Sequence, residues 1–184
     1  MGSLRNIKVV RGGRTVATVD VYDYIINGRS HSDIRLQEGD VILASPYEAL
    51  VLIKGKVKRP MYYEMKSSES IRTLIGFAGG FSNDAYRGSV TVDRNNSKER
   101  TLATVDDMNF GVFKVKDGDV VSIGEILDRY NNRIEIKGAV YRPGYYELGK
   151  DIQTVRDLIQ RADGLLEYAF TNRAVLHREN EDKT

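Results

Sequence analysis

The sequence predicts an α+β fold made of tandem units, each a small mixed β-sheet with one helix packed across it. Three observations carry this expectation. Between residues 53 and 65 apolar and polar residues alternate with a period of two, as in a strand with one buried and one wet face. Ile71, Leu74, Ile75 and Ala78 then fall at the i, i+3, i+4, i+7 spacing of a short amphipathic helix. Finally, both patterns return later in the chain, so they belong to a repeat.

The repeat fixes the order of elements. Residues 53–64 recur as residues 136–147, differing only where Lys56, Lys58 and Met61 become Ala139, Tyr141 and Gly144. In each copy a strand runs to an Arg-Pro turn, where proline fixes φ and pushes its predecessor toward extended geometry. A second strand follows, with Met61, Tyr63 and Met65 expected to face the core and Tyr62 and Glu64 the solvent. The helix 71–80 is matched by 155–164, with Thr154 and Asp157 as a capping box, Ser70 as a weaker cap, and Gly79-Gly80 or Gly164 as the stop. Strands are then expected at Val90–Arg94, Thr101–Val105 and Val120–Ile123, the last entered through the turn Lys116–Asp119. Segment 14–20 returns as 100–106, and 38–42 as 117–121. A short strand ending in arginine occurs three times, at 7–11, 90–94 and 174–178. The period is about 84 residues, and the chain holds roughly two periods cut out of phase.

The domain organisation follows. Residues 4–44 are expected to be the C-terminal part of a preceding unit, 48–128 a complete unit and 133–178 the N-terminal part of a following one. Residues 179–184 read as a flexible tail, and Met1-Gly2-Ser3 as an expression remnant on a fragment of a longer protein. Taken alone, 4–44 has closing strands without a hairpin or helix, and 133–178 the reverse. Each would leave strand edges and apolar surface uncovered. The expectation is that the two complete one another, within one chain or by exchange between chains.

The 184 residues carry 28 Lys+Arg against 26 Asp+Glu, a formal net charge of +2, with 41% hydrophobic residues and no Cys. That mix is ordinary for a globular chain. Near neutrality argues against a dedicated nucleic-acid binder, which needs clustered cations to displace phosphate counterions. Without Cys there is no disulfide framework and no thiolate metal site or nucleophile. The longest apolar run, Ala49–Ile53, is too short to span a bilayer.

Residues 138–146 and the Ala78-Gly79-Gly80 helix end resemble the soluble-ligand-binding β-grasp (SLBB) domain, whose pattern is V-x-G-x-V-x-x-P-G-x-Y, a helix ending A-G-G, a strand ending in Arg, and later G-D-V. The likeness spans about Ile7 to Arg178, with departures at Met61 and Asp163. Tandem copies resemble the polysaccharide biosynthesis/export proteins of Gram-negative outer membranes. The resemblance implies β-grasp units in the periplasm, non-enzymatic and without cofactors, packed as a ring of identical copies that serves as a conduit for a capsule or exopolysaccharide. It implies as partners the polymer, other copies of the chain and inner-membrane export machinery, with no nucleic acid. The domain also occurs in DNA-uptake receptors and small-ligand binders. A DNA-uptake receptor would be expected to carry a helix-hairpin-helix and a cationic surplus, which this sequence lacks.

The candidate contact residues are Arg59, Tyr62, Tyr141, Arg142 and Tyr145, exposed on the hairpins, because planar aromatic faces and fork-shaped donors suit a hydroxyl-rich glycan. The same residue types are enriched at protein interfaces. Pro60, Pro143, Gly55 and Gly138 read as hairpin geometry. His31 and His177 lack metal-ligand spacing. Asp106-Asp107, Glu64 and Glu147 could serve as the acidic pair of a carbohydrate-active enzyme only if two of them converged on one cleft. Gly12-Gly13 is too short for a phosphate loop, and Asn95-Asn96-Ser97 is a sequon of a kind that arises often by chance.

Overall fold

The computed structural model describes residues 2–29 and 34–178. It divides into two compact units, Met1–Leu127 and Asp128–Thr184. In the first unit lie β1 (Gly2–Arg11), β2 (Arg14–Val19), α1 (Val21–Asn27), β3 (Val41–Pro46), β4 (Ala49–Gly55), β5 (Met61–Met65), α2 (Ile71–Phe77), β6 (Ser89–Asn95), β7 (Arg100–Asp106) and β8 (Val120–Ile123). In the second lie β9 (Arg133–Ile136), β10 (Gly144–Glu147) and α3 (Val155–Arg161). The α+β expectation is met. Among the described residues no helix is long and apolar enough to cross a membrane.

The centre of the first unit is a five-stranded sheet in the order β5-β4-β8-β6-β7. All its neighbours run antiparallel except β4 and β8, which pair in parallel with Leu52 opposite Val120 and Gly55 opposite Ile123. Alternating side chains of β4, β6 and β8 form one apolar face. Val51, Ile53, Val92 and Val121 are fully buried there against Ile71, Leu74 and Ala78 of α2 and its cap. Gly55 is needed where β8 comes closest: its φ is +86°, and a Cβ there would sit 2.1 Å from the Ile123 carbonyl oxygen.

A second sheet, β2-β1-β3, precedes it. The turn Gly12-Gly13, with φ of +55° and +77°, joins β1 and β2 in a hairpin. Residues 4–44 and 48–127 thus share one compact unit, and Gly2 and Ser3 of the segment expected to be a remnant lie in β1. The buried Ser3 and Arg5 of β1 bond to Glu64 and Glu69 of the central fold. The N-terminal strands are therefore engaged with the central fold through one end of β1, a contact the repeat did not foretell.

Three local expectations need correction. Met61 is 53% exposed although its alternation pointed inward, because it stands at the turn end of the hairpin, next to Pro60. Glu64 is buried although expected in solvent, because β1 covers the outer face of β5 at that position. Residues 174–178 form no strand and are exposed, since the second unit supplies no ladder for them to join. Conversely α1 was not anticipated. Its Asp20 cap accepts from the Tyr22 amide, and Gly28 closes it in the left-handed region at φ +64°.

Within the second unit the hairpin turn and helix end repeat the backbone bonds of the central ones. Val57 N–H donates to the Gly55 carbonyl and Arg59 N–H to that of Ala78; Val140 donates to Gly138 and Arg142 to Ala162. Tyr63 and Tyr146 each donate their hydroxyl to the carbonyl of the turn arginine, Arg59 at 3.0 Å and Arg142 at 2.7 Å. The capping box of Thr154 and Asp157 is present, whereas Ser70 makes no side-chain cap bond.

Candidate functional site

The exposed hairpin residues fall in two sets, one per unit. In the first, Arg59 donates through Nη2 to the Phe77 carbonyl at 3.0 Å, which lays the guanidinium along the end of α2 beside Gly79. Tyr62, on the outer face of β5, is 57% exposed. In the second, Arg142 forms an ion pair with Asp163. Asp163 takes the left-handed conformation, φ +60°, that Gly79 holds in the central copy. Asp tolerates that region better than most side chains, and its carboxylate meets the arginine of the hairpin turn.

Tyr145 lies on β10 with Arg133 of β9 stacked over its ring at 4.4 Å, and the same guanidinium reaches the Tyr130 ring at 5.4 Å. Tyr141 is 56% exposed. The second unit therefore presents a rim of flat aromatic faces interleaved with cations, which can stack on sugar rings and donate to hydroxyls. Of the five candidates, Tyr141, Arg142 and Tyr145 share one hairpin, with Arg133 and Tyr130 as members that spacing alone did not reveal.

A different cluster was missed altogether. Arg5 is 6% exposed and packs its guanidinium 4.9 Å from the rings of both Tyr22 and Phe77. Its nitrogens bond Glu69 at 2.6 and 2.8 Å, Asp20 at 3.2 and 3.3 Å and the Glu64 carbonyl at 3.1 Å. Lys66 adds a bond to Asp20 at 2.7 Å. Burial pulls the Arg5 guanidinium down, but Glu69 and Asp20 outweigh it and hold the group above its ordinary value. Burial likewise pushes the Asp20 carboxyl up, and Lys66 and Arg5 reverse this to leave it lowered. The cluster borders an open cleft of about 500 Å³ lined by Arg5, Asp20, Tyr22, Lys66 and Phe77, among others. With its donors committed to protein acceptors, Arg5 is a clamp between β1 and the central sheet rather than a ligand-binding cation. The one sequence cue was a charged residue inside an otherwise strand-like N-terminal run.

Glu64 on β5 and Asp106-Asp107 at the end of β7 stand at opposite edges of the central sheet and form no pair. Glu64 is buried and accepts from the Leu4 amide at 2.8 Å, while Asp107 accepts from the Met108 amide at 2.8 Å. His177 is exposed, and His31 lies outside the described residues. Among the described residues no group of His, Asp and Glu is placed to hold a metal. The Asn96 carboxamide oxygen accepts from the Lys98 and Glu99 amides, so the Asn-rich turn between β6 and β7 is explained by backbone geometry.

Residues 50–105 match the SLBB domain. The matched stretch runs from β4 into β7, and an SLBB domain is a binding module rather than a catalytic one. No curated protein matches the chain.

Proposed function

We infer that this chain is a non-enzymatic part of a polysaccharide export protein in the periplasm of a Gram-negative bacterium, at the inner face of the outer membrane. Its units pack in a ring of copies around the path of a capsule or exopolysaccharide, alongside inner-membrane export machinery. The observation that carries this reading is the SLBB domain at 50–105 together with the same hairpin and helix repeated at 133–164 with equivalent hydrogen bonds. Two copies of a binding fold in one chain suit a repetitive polymer or a repeated packing contact. Tyr130, Tyr141 and Tyr145, with Arg133 and Arg142, are the side chains that meet the glycan.

Deletion of the gene in its host tests the reading. Surface polysaccharide is expected to disappear while polymer accumulates inside the cell, and restoration with Tyr141→Ala/Tyr145→Ala is expected to be partial. Unchanged surface polysaccharide in the deletion strain overturns it.

A further inference from the structure

The cleft beside Arg5 lies wholly in the first unit, walled by α1 on one side and α2 on the other. Neither Arg59 nor Tyr62 borders it, so it is separate from the exposed hairpin residues of that unit. At about 500 Å³ it has the size of a small-molecule site. Tyr22, Ile26 and Phe77 give it apolar surface, and Asp23, Asn27 and Thr73 give it polar groups. Arg5 and Lys66 border it too, but both are bonded to carboxylates of the same cleft. Arg5 meets Glu69 at 2.6 Å and Asp20 at 3.2 Å, and Lys66 meets Asp20 at 2.7 Å.

The two copies of the repeated helix agree where α2 packs on its sheet and differ where it borders the cleft. Leu74, Ile75 and Ala78 return as Leu158, Ile159 and Ala162, whereas Thr73, Gly76 and Phe77 become Asp157, Gln160 and Arg161. Within its unit α3 has no helix like α1 beside it. Gly76 has neither of the usual reasons for a glycine. Its φ lies outside the left-handed region, and a Cβ built on it meets nothing within 4 Å. Nor does it stop the helix, since the positive φ angles fall at Gly79 and Gly80. Alanine would favour the helix at this position, and α3 is helical with Gln160 in its place. What glycine supplies is room beside α2, on the border of the cleft.

We propose that the cleft between α1 and α2 binds an uncharged, hydroxyl-rich ring, a single pyranose unit, and that Gly76 leaves the space for it. The charge of the lining selects against anions. Asp20, Asp23 and Glu69 outnumber Arg5 and Lys66 by one, and the two cations already serve carboxylates of the cleft, so an anionic ligand meets net repulsion. The Asn27 carboxamide donates to Asp23 at 2.7 Å and, with the Thr73 hydroxyl, places donors and acceptors along both helices, the complement of neighbouring hydroxyls on one ring. Tyr22, Ile26 and Phe77 can cover the apolar C–H face of that ring. The ligand class follows from the lining and not from the export role, so either can fail without the other.

Amide NMR of the full chain tests this, with the methyl pyranosides of glucose, galactose and mannose as neutral probes and glucuronate as the anionic one. At least one neutral glycoside is expected to shift the amides of Tyr22 to Asn27 and of Thr73 to Phe77, with the millimolar affinity of so small a ligand, while glucuronate leaves them in place. Gly76→Leu, which fills the space, is expected to weaken binding by about tenfold or more. Thr73→Val, which removes a hydroxyl without changing shape, is expected to weaken it by about tenfold with the melting of the unit unchanged. Gly76→Ala is expected to raise the melting temperature by a few degrees while it weakens binding, a combination that a purely structural glycine does not give. No shift at the cleft with any of the three glycosides, equal shifts with glucuronate, or an affinity indifferent to both Gly76→Leu and Thr73→Val each overturns the proposal. Surface polysaccharide in the deletion strain bears on the export reading alone.

Discussion

Arg5 binds a layer of sequence that no repeat predicts. It is a buried cation shared by Glu69 and Asp20, and its removal leaves two largely buried carboxylates without their common partner, Asp20 keeping Lys66. Arg5→Met is expected to lower stability by about 3 kcal/mol, the usual cost of breaking a buried pair from one side, as measured by urea unfolding followed by tyrosine fluorescence. Asp40 supplies a pH test. Its bonds from Arg11 and the Gln37 amide pull its pKa from 3.8 down to about 2. The folded state thus binds this proton less readily than the unfolded chain. The stabilisation is complete above the ordinary value and is lost as pH falls through about 2. Carboxyl chemical shifts followed by NMR from neutral to acid pH should place the Asp40 midpoint well below the ordinary 3.8. An Asp40 midpoint near 3.8 contradicts the bidentate grip.

The hairpin glycines separate two roles that look alike in the sequence. Gly138→Ala is expected to cost about 1 kcal/mol for the positive φ alone. Gly55→Ala adds a collision with the Ile123 carbonyl and should cost well above that; equal losses in thermal melts contradict the close β4–β8 approach. Thr154→Ala should cost about 1 kcal/mol of α3 stability, and Ser70→Ala less at α2, because only Thr154 makes the capping bond. The hairpins, α2, α3 and strands β6 to β8 were legible because their signals are local: a period of two, a 3.6-residue stripe, a Gly stop. Met61, Glu64 and residues 174–178 were misread because their environment depends on distant chain. A period-2 pattern tells which residues share a face, but not that β1 covers the outer face of β5 over Glu64. For 174–178 the sequence contained a strand pattern but no partner strands in the same unit. Helix α1 has no cue in the sequence analysis because its single apolar stripe, Tyr22 and Ile26, is too short to show a helical period.

At the scale of the molecule the two units have unequal cores. The first buries a continuous apolar cluster between the five-stranded sheet and α2, whereas α3 has no buried residue within its span. Native-state hydrogen exchange should therefore show amides of β4 and β8 opening only with global unfolding of the first unit, and those of β9 and β10 exchanging at lower free energy. Uniform protection across both units contradicts this division. Of the candidate site, the exposed Tyr and Arg residues were legible as types that suit flat polar ligands. The stacking of Arg133 between Tyr130 and Tyr145 was not, because it joins a loop to two strands.

The parallel β4–β8 pair also has a consequence in time. Leu50 and Asp117, which meet at its start, are 67 residues apart, so this contact carries the largest loop-closure cost in the sheet. The hairpin and α2 are assembled from neighbouring residues and can form first. Closure by β8 is expected to be the last step in the folding of the unit. During synthesis the hairpin-and-helix half emerges and waits with one strand edge bare until its closing strands follow. Folding of such a unit is a relay, in which the hairpin-and-helix half is briefly open along the β4 edge that β8 later covers.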